Sequence, residues 1–536
     1  MKFKFIASLL LCFLLIGCNG TGDSTKHECL ENQSEWTDKT SFSCGETGIQ
    51  EITCTVCGKV LESKSVTKEH LYVENINPAT CHKAGSVISA CKLCGDVKAE
   101  TSLPILEHSY GEWEVVEDPT CHTDGKSEKV CTLCGTKETL NIEKLTHEFE
   151  DEILSIKTCL QDGKTKSTCK HCGTFTYKSD LSEGHLPGAV RIITEPTSTK
   201  VGKKEVVCQN CQEVYRTFNY VNNDYFSNGK LSVNGPDLVN QNGDKFQLYG
   251  LSTHGINWFH RFVNFDTICS LKESFGLNII RIAMYTDEGG FCTGNAQIKA
   301  QMLETLHKGI DIATKLGLYV IVDWHMVGAY NVLDKNPLTY LEQAKEFFSY
   351  ISEYYKDQDN ILYEIMNEPN GSTTWDDCKK YANEIIPLIR KNTDAIVLVG
   401  NPRWTADLNS VMKSPLTGYD NIMYTYHFYA ADHRNTSQVE TAYDNGFPVF
   451  ISEFGFMLSS GDGSISMTNG NRWKAVLDSR NISYVAWNIS NSKGTASIFK
   501  HNTVDLVDVS DANLKEWGVI LKNWYRSKAG IDKLEE

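Results

Sequence analysis

Eight short apolar runs alternating with longer amphipathic stretches constrain this chain more than any other feature. The runs occupy 247–253, 277–284, 318–324, 361–366, 395–399, 422–428, 448–452 and 482–488. Between them, 298–316 sets Leu303, Leu306, Ile310 and Ala313 on one helical face, and 341–356 does the same with Ala344, Phe348, Ile351 and Tyr355. A third amphipathic stretch, 375–391, carries Tyr381, Ile385, Leu388 and Ile389, with Pro387 expected to disturb it locally. Strands alternating with helices imply a parallel sheet, and eight such units in roughly 300 residues match a (β/α)8 barrel, an α/β fold. An open doubly wound sheet ranks lower, because no glycine-rich phosphate loop follows the first run.

In such a barrel, chemistry sits at the C-terminal ends of the strands. Those ends carry His254, Arg281, Asp323-Trp324-His325, Asn367-Glu368, Asn401 with Trp404, His427-Phe428-Tyr429, Glu453 and Trp487-Asn488. A single His or Trp in such a place is usually packing. Eight ends bearing carboxylates, amides and aromatics together point to a site. Glu368 and Glu453, on different strands, suit glycoside hydrolysis, which needs one carboxyl held protonated and another ionised. Arg281, reaching Glu453, would keep that group charged, and Tyr429 would donate to it. Asn367 is placed to bond a sugar hydroxyl, and Trp258 and Trp487 offer flat faces to pyranose rings. This chemistry calls for no metal or organic cofactor.

Ile365-Met366-Asn367-Glu368-Pro369 and Ile451-Ser452-Glu453-Phe454-Gly455 resemble the two signatures of glycoside hydrolase family 5. Leu251-Ser252-Thr253-His254-Gly255-Ile256-Asn257-Trp258, Tyr424-Thr425-Tyr426-His427-Phe428-Tyr429-Ala430, Val322-Asp323-Trp324-His325 and Trp487-Asn488-Ile489-Ser490 are similar to its bacterial endo-β-1,4-glucanase branch. The resemblance implies a retaining double displacement on a β-1,4-glucan, with Glu368 as acid/base and Glu453 as nucleophile. It implies that Arg281, His325, Asn367, His427 and Tyr429 shape the cleavage site. His254, Trp258 and Trp487 would hold sugars on the non-reducing side, and Trp404 a sugar beyond. A related β-glycanase acting on mannan, xyloglucan or mixed-linkage glucan by the same chemistry is the alternative, and a non-catalytic glycan-binding lipoprotein is a further one. The sequence departs from the branch at Ser490-Asn491-Ser492-Lys493-Gly494, where an Asp-Lys and a nearby Glu are usual, so the resemblance does not carry over the contacts two sugars from the cleaved bond or the preferred glucan.

The first half is a repeat array. Cys44-x9-Cys54-x2-Cys57-Gly58 recurs as Cys81, Cys91, Cys94, Gly95, as Cys121, Cys131, Cys134, Gly135 and as Cys159, Cys169, Cys172, Gly173. A histidine trails each copy: His70, His108, His147 and His185. A fifth, degenerate copy keeps Cys208 and Cys211, has Ser198 in place of the first cysteine and lacks the histidine. That joint loss suggests that the first cysteine and the trailing histidine serve one site. Three cysteines and one histidine per copy supply the four ligands of a structural zinc. Disulfides are the competing reading in an exported protein, but an odd thiol per copy fits them poorly. The domains expected are a leader at 1–17, the array at 18–216 and the barrel at 217–536.

Lys2 and Lys4 precede the apolar run 5–16, which reads as an export signal. Leu15-Ile16-Gly17-Cys18 resembles a bacterial lipobox, which implies lipidation of Cys18 and tethering outside the cytoplasm by a lipid anchor; an ordinary signal peptide is the alternative. A net charge of −16 argues against nucleic acid as a partner.

Overall fold

The computed structural model describes residues 33–326 and 336–535, so Cys18 and the export segment lie outside the described residues. The chain forms two compact units. One runs to Leu154 and includes Thr165–Lys178; the other comprises Ser155–Lys164 and the chain from Ser179 onward.

The array is a series of three-stranded antiparallel sheets, one per copy. In the second copy Tyr72–Asn77, Gly85–Cys91 and Val97–Leu103 pair in that order. The middle strand begins at the glycine four residues after the first cysteine and ends at the first cysteine of the Cys-x-x-Cys. A side chain at Gly85 would meet the Asn77 carbonyl at 2.5 Å, so only glycine lets the first two strands approach here. Beyond the middle strand the Cys-x-x-Cys closes a tight knuckle: Gly95 N–H donates to Cys91 O at 2.8 Å with φ +83°. The sheet of the degenerate copy, Pro187–Thr194, Gly202–Cys208 and Val214–Tyr220, belongs to the second unit.

The second unit is built on a closed barrel of eight parallel strands, each hydrogen-bonded to the next. The strands are Tyr249–Thr253, Ile279–Tyr285, Tyr319–His325, Ile361–Glu364, Val397–Val399, Ile422–Tyr429, Val449–Gly455 and Tyr484–Ile489. Each lies within or overlaps one of the eight apolar runs. The helices Ala296–Leu316, Leu341–Tyr354 and Trp375–Arg390 fill the predicted crossovers. The last of these runs unbroken through Pro387. Pro387 and Asn383, whose carbonyl loses its helical donor, are both exposed on the solvent face, where an unpaired carbonyl costs little.

The alternation of each strand divides the core. Outward residues such as Ile280, Val322, Tyr363 and Ile451 pack under the helices, while Ile279, Tyr319, Ile321, Leu362, Leu398, Met423, Phe450 and Val485 fill the barrel's floor. The hairpin Ser232–Asn234 and Asp237–Val239 adds Leu231 and Leu238 to that floor. Two residues further along four of the strands, the inward positions change from apolar to ionic or polar: Arg281, Asp323, Glu364 and Ser452 are all fully buried. The site lies on top of this layer.

Candidate functional site

Arg281 organises the ionic layer. Its Nε donates to Glu364 Oε2 at 2.7 Å, its Nη2 to Asn367 Oδ1 at 2.7 Å, and its Nη1 lies 3.3 Å from Glu453 Oε2. Asp323 Oδ2 pairs with the same guanidinium at 3.0 Å. One buried cation thus faces three carboxylates. Burial pushes Asp323 well up despite Arg281, whereas Arg281 and His427 draw Glu364 below its ordinary value against burial.

Glu453 reaches the site through a bulge. Thr425 pairs with Phe450 but His427 pairs with Glu453, so the seventh strand holds one residue more than its neighbour. The extra residue turns both Ser452 and Glu453 inward. Tyr429 O–H donates to Glu453 Oε1 at 2.8 Å. Burial pushes the Glu453 carboxyl up; Glu368 adds to this, while His427, Arg281 and Tyr429 oppose it.

Glu368 stands just beyond the fourth strand, with its side chain 16% exposed, and its Oε1 meets His427 Nδ1 at 2.9 Å. His427 Nε2 meets Ser452 Oγ at 2.9 Å, and Ser452 donates to Glu364 Oε1 at 2.6 Å. Burial disfavours charge on His427, but Glu364 and Glu368 outweigh it and push the imidazole up to about 9. In that form both ring nitrogens donate. The backbone under Glu368 is clamped by an unusual turn: Arg403, Trp404 and Thr405 all have φ near the left-handed region, at +60°, +55° and +54°. From there Thr405 Oγ1 donates to Asn367 O at 2.5 Å and Trp404 N–H to Pro369 O at 3.0 Å. The turn also leaves the Trp404 indole 55% exposed.

An aromatic wall borders the carboxylates. Trp487 stacks on His325 with ring centres 5.2 Å apart and planes at 7°, and His325 stacks on Tyr285 at 4.2 Å. His254 lies 5.2 Å from Trp487 and 5.8 Å from Trp258, whose face is 44% exposed. Burial holds His325 well below its ordinary value, and Asp323 Oδ2, 2.6 Å from its Nδ1, fixes the ring. Trp517 Nε1–H donates to Trp487 O at 2.8 Å, so the C-terminal helix Glu516–Ala529 seats this wall.

The fold therefore brings together Glu368, Glu453, Arg281, His325, Asn367, His427 and Tyr429, with His254, Trp258 and Trp487 alongside and Trp404 at the clamp. Glu364, Ser452 and Tyr285 are additional members that the sequence reading did not single out. Glu364 had one signal: a carboxylate inside the otherwise apolar run 361–366. Lys493, in the divergent loop, is exposed.

The array holds four further clusters, and they correct the expected ligand sets. The sulfur and nitrogen atoms that converge are those of Cys44, His70, Cys91 and Cys94; Cys81, His108, Cys131 and Cys134; Cys121, His147, Cys169 and Cys172; and Cys159, His185, Cys208 and Cys211. Each set takes its first cysteine and histidine from one copy and its knuckle from the next. Cys54 and Cys57 lie in none of these four, and Cys208 and Cys211, which the reading did not count as ligands, complete the last. The physical reason is that a knuckle sits at the far end of its own middle strand, away from its copy's first cysteine, and is met there by the preceding copy.

A closed parallel barrel with paired carboxylates, a buried arginine and an aromatic wall at its strand ends defines a glycoside hydrolase site. The family described as Cellulase (glycosyl hydrolase family 5) matches residues 239–493. Endoglucanase A of Butyrivibrio fibrisolvens is 41% identical over 292 residues, 54% of this chain and 66% of its own. Cellulase CelDZ1 of Thermoanaerobacterium sp is 35% identical over 300 residues, 53% of this chain and 74% of its own. The catalytic domain of Thermobifida fusca endoglucanase Cel5A superposes with a TM-score of 0.52 at 35% identity, over 57% of this chain and 99% of its own. The chain belongs to glycosyl hydrolase family 5. It spans 66%, 64% and 58% of the length of three curated relatives, so it covers less than two thirds of each.

Proposed function

We propose that this chain is a retaining endo-β-1,4-glucanase. The observation that carries the reading is the opposed carboxylate pair: oxygens of Glu368 and Glu453 come within 4.8 Å of one another and of a His427 nitrogen. That spacing favours a double displacement, since inverting enzymes keep their carboxyls roughly 6.5–9.5 Å apart to admit a water. Arg281 and Tyr429 aim the Glu453 carboxylate, which attacks the anomeric carbon. Glu368 gives its proton to the departing glycosidic oxygen. The double displacement needs one proton on the pair, carried by Glu368 as the acid while Glu453 attacks as the carboxylate. Having given up its proton, Glu368 is the base that takes one from the water attacking the Glu453 ester, which releases Glu453 as a carboxylate. Asn367, oriented by Arg281, is placed for the sugar 2-hydroxyl, and the Trp487 and Trp258 faces take the neighbouring pyranoses. The two carboxyls carry this chemistry and need no cofactor. By the same reading Cys18 is lipidated and tethers the enzyme outside the cytoplasm, and the Cys/His clusters are structural zinc sites.

The test is Glu453→Gln, which should abolish hydrolysis of carboxymethyl cellulose while leaving the fold intact; unchanged activity ends the nucleophile assignment. Product analysis on soluble β-glucans and mannans ranks the substrates.

A further inference from the structure

Distances within the array clusters fit a tetrahedral ion. A zinc bound by thiolates at about 2.3 Å and imidazole at about 2.0–2.1 Å sets sulfur atoms about 3.8 Å apart and sulfur and nitrogen about 3.5 Å apart. The sulfur pairs Cys81–Cys131, Cys121–Cys169 and Cys159–Cys208 are separated by 3.9, 3.7 and 3.6 Å. The knuckle's second sulfur lies 3.3, 3.2, 3.5 and 3.4 Å from Nδ1 of His70, His108, His147 and His185. Disulfides need sulfurs about 2.05 Å apart and leave the histidines unused. All four histidines present the same nitrogen, and each ring stacks on an aromatic side chain: Tyr72, Tyr110, Phe149 and Tyr215, with centres 5.0–5.5 Å apart.

We propose that each tetrad holds one Zn²⁺ shared by two consecutive copies, and that the last ion sets the stability of the catalytic unit. The proposal rests on the structural-zinc reading above and adds the pairing and its consequence. The degenerate copy then has a role. It lacks the first cysteine and the histidine because no copy follows it, and it keeps its knuckle because the fourth copy requires one.

The sheet of that copy is part of the barrel's packing. Val206, Phe218 and Tyr220 join the barrel's outer core. Arg216 pairs with Asp266 at 3.1 Å and donates to Ser270 at 2.9 Å, and Glu273 accepts from Asn219 N–H at 2.9 Å, all on the helix Phe265–Phe275. Lys204 and Asp224 form a buried pair at 3.0 Å. The fourth ion would bind at Cys208 and Cys211, where the hairpin of this sheet turns, and at His185, where its first strand is about to begin. Removing it frees the hairpin that covers this helix.

The test uses the full chain. Zinc is counted by mass spectrometry after dialysis against a weak chelator, and the barrel's melting is followed by residual hydrolysis after heating. Cys159→Ser and the pair Cys208→Ser with Cys211→Ser should each lose one equivalent, and their combination should still lose only one. Cys159→Ser combined with Cys169→Ser and Cys172→Ser should lose two. The reverse pattern overturns the sharing while leaving zinc in place. A wild-type chain without zinc, or with oxidised cysteines, overturns the zinc reading itself. The Cys208→Ser, Cys211→Ser chain should inactivate several degrees lower than wild type, and the Cys131→Ser, Cys134→Ser chain at the wild-type temperature. Equal inactivation of both overturns the coupling to the barrel.

Discussion

Tyr429→Phe isolates one hydrogen bond at the centre of the site. The ring remains and only the hydroxyl, 2.8 Å from Glu453 Oε1, is lost. Both residues are almost fully buried, at 6% and 5% exposure, so water does not replace the donor. A hydrogen bond to a buried charge contributes about 1.5–3 kcal/mol. Because Tyr429 favours the ionised carboxyl, its loss pushes the pKa of Glu453 further up, at about 1.36 kcal/mol per pH unit. The assay is the pH dependence of kcat/KM on a soluble cello-oligosaccharide. Glu453 must be ionised to attack, so the acid limb should move to higher pH. The plateau should fall less than the limb moves, since the charge that Tyr429 stabilises is consumed as the sugar bond forms. Stability should follow the same proton. Burial already places the folded Glu453 above its ordinary value, so stability falls as pH rises through its ionisation. The variant deepens that fall: its deficit should be present at neutral pH and shrink below about pH 4, where both forms are protonated. An acid limb that stays in place would refute the reasoning.

Three further outcomes are expected. His427, pushed up to about 9 by Glu364 and Glu368 against burial, stabilises the fold fully below its ordinary value near 6.5, and that contribution is lost as pH rises through 9; His427→Asn should flatten the wild-type decline in Tm across that window. Trp404→Ala should raise KM for long oligosaccharides about tenfold, consistent with loss of a sugar-stacking face worth roughly 1–1.5 kcal/mol, and leave cellobiosides of short length unaffected. Thr374→Ala breaks the reciprocal cap in which Asp377 N–H donates to Thr374 Oγ1 at 3.2 Å and Thr374 N–H to Asp377 Oδ2 at 2.9 Å; it should cost about 1 kcal/mol in denaturant unfolding and leave kcat unchanged.

The barrel and the upper ring of its site were legible because the fold gathers eight strand ends onto one rim, so position along the chain stands in for position in space. The ionic layer beneath was legible only in part. Arg281 and Asp323 stood out at their strand ends, but Glu364, inside the apolar run 361–366, reads as an interruption of that run until Arg281 is seen 2.7 Å from it. Glu453 was found from its motif, but strict alternation would have turned either it or Ser452 outward; the bulge that aims both was invisible in the sequence. Pro387 shows the converse error, since a residue that removes a helical donor does little harm where its orphaned carbonyl faces water. In the array, a regular repeat gives equal spacing to pairings within a copy and between copies. Only the damaged end of the series broke that tie, and its message was half read: the missing pair was recognised as a unit, but the surviving knuckle was not assigned to its neighbour.

Clusters shared between neighbours give the array a grammar of its own. Each of the second, third and fourth copies offers two ligands forward and accepts two from behind, so a whole period can be gained or lost by duplication or deletion without stranding a half-built cluster. Length can drift between generations of the gene while every internal joint stays complete. The degenerate copy is the terminator of that grammar: it receives and does not offer, and with it the series ends against the barrel.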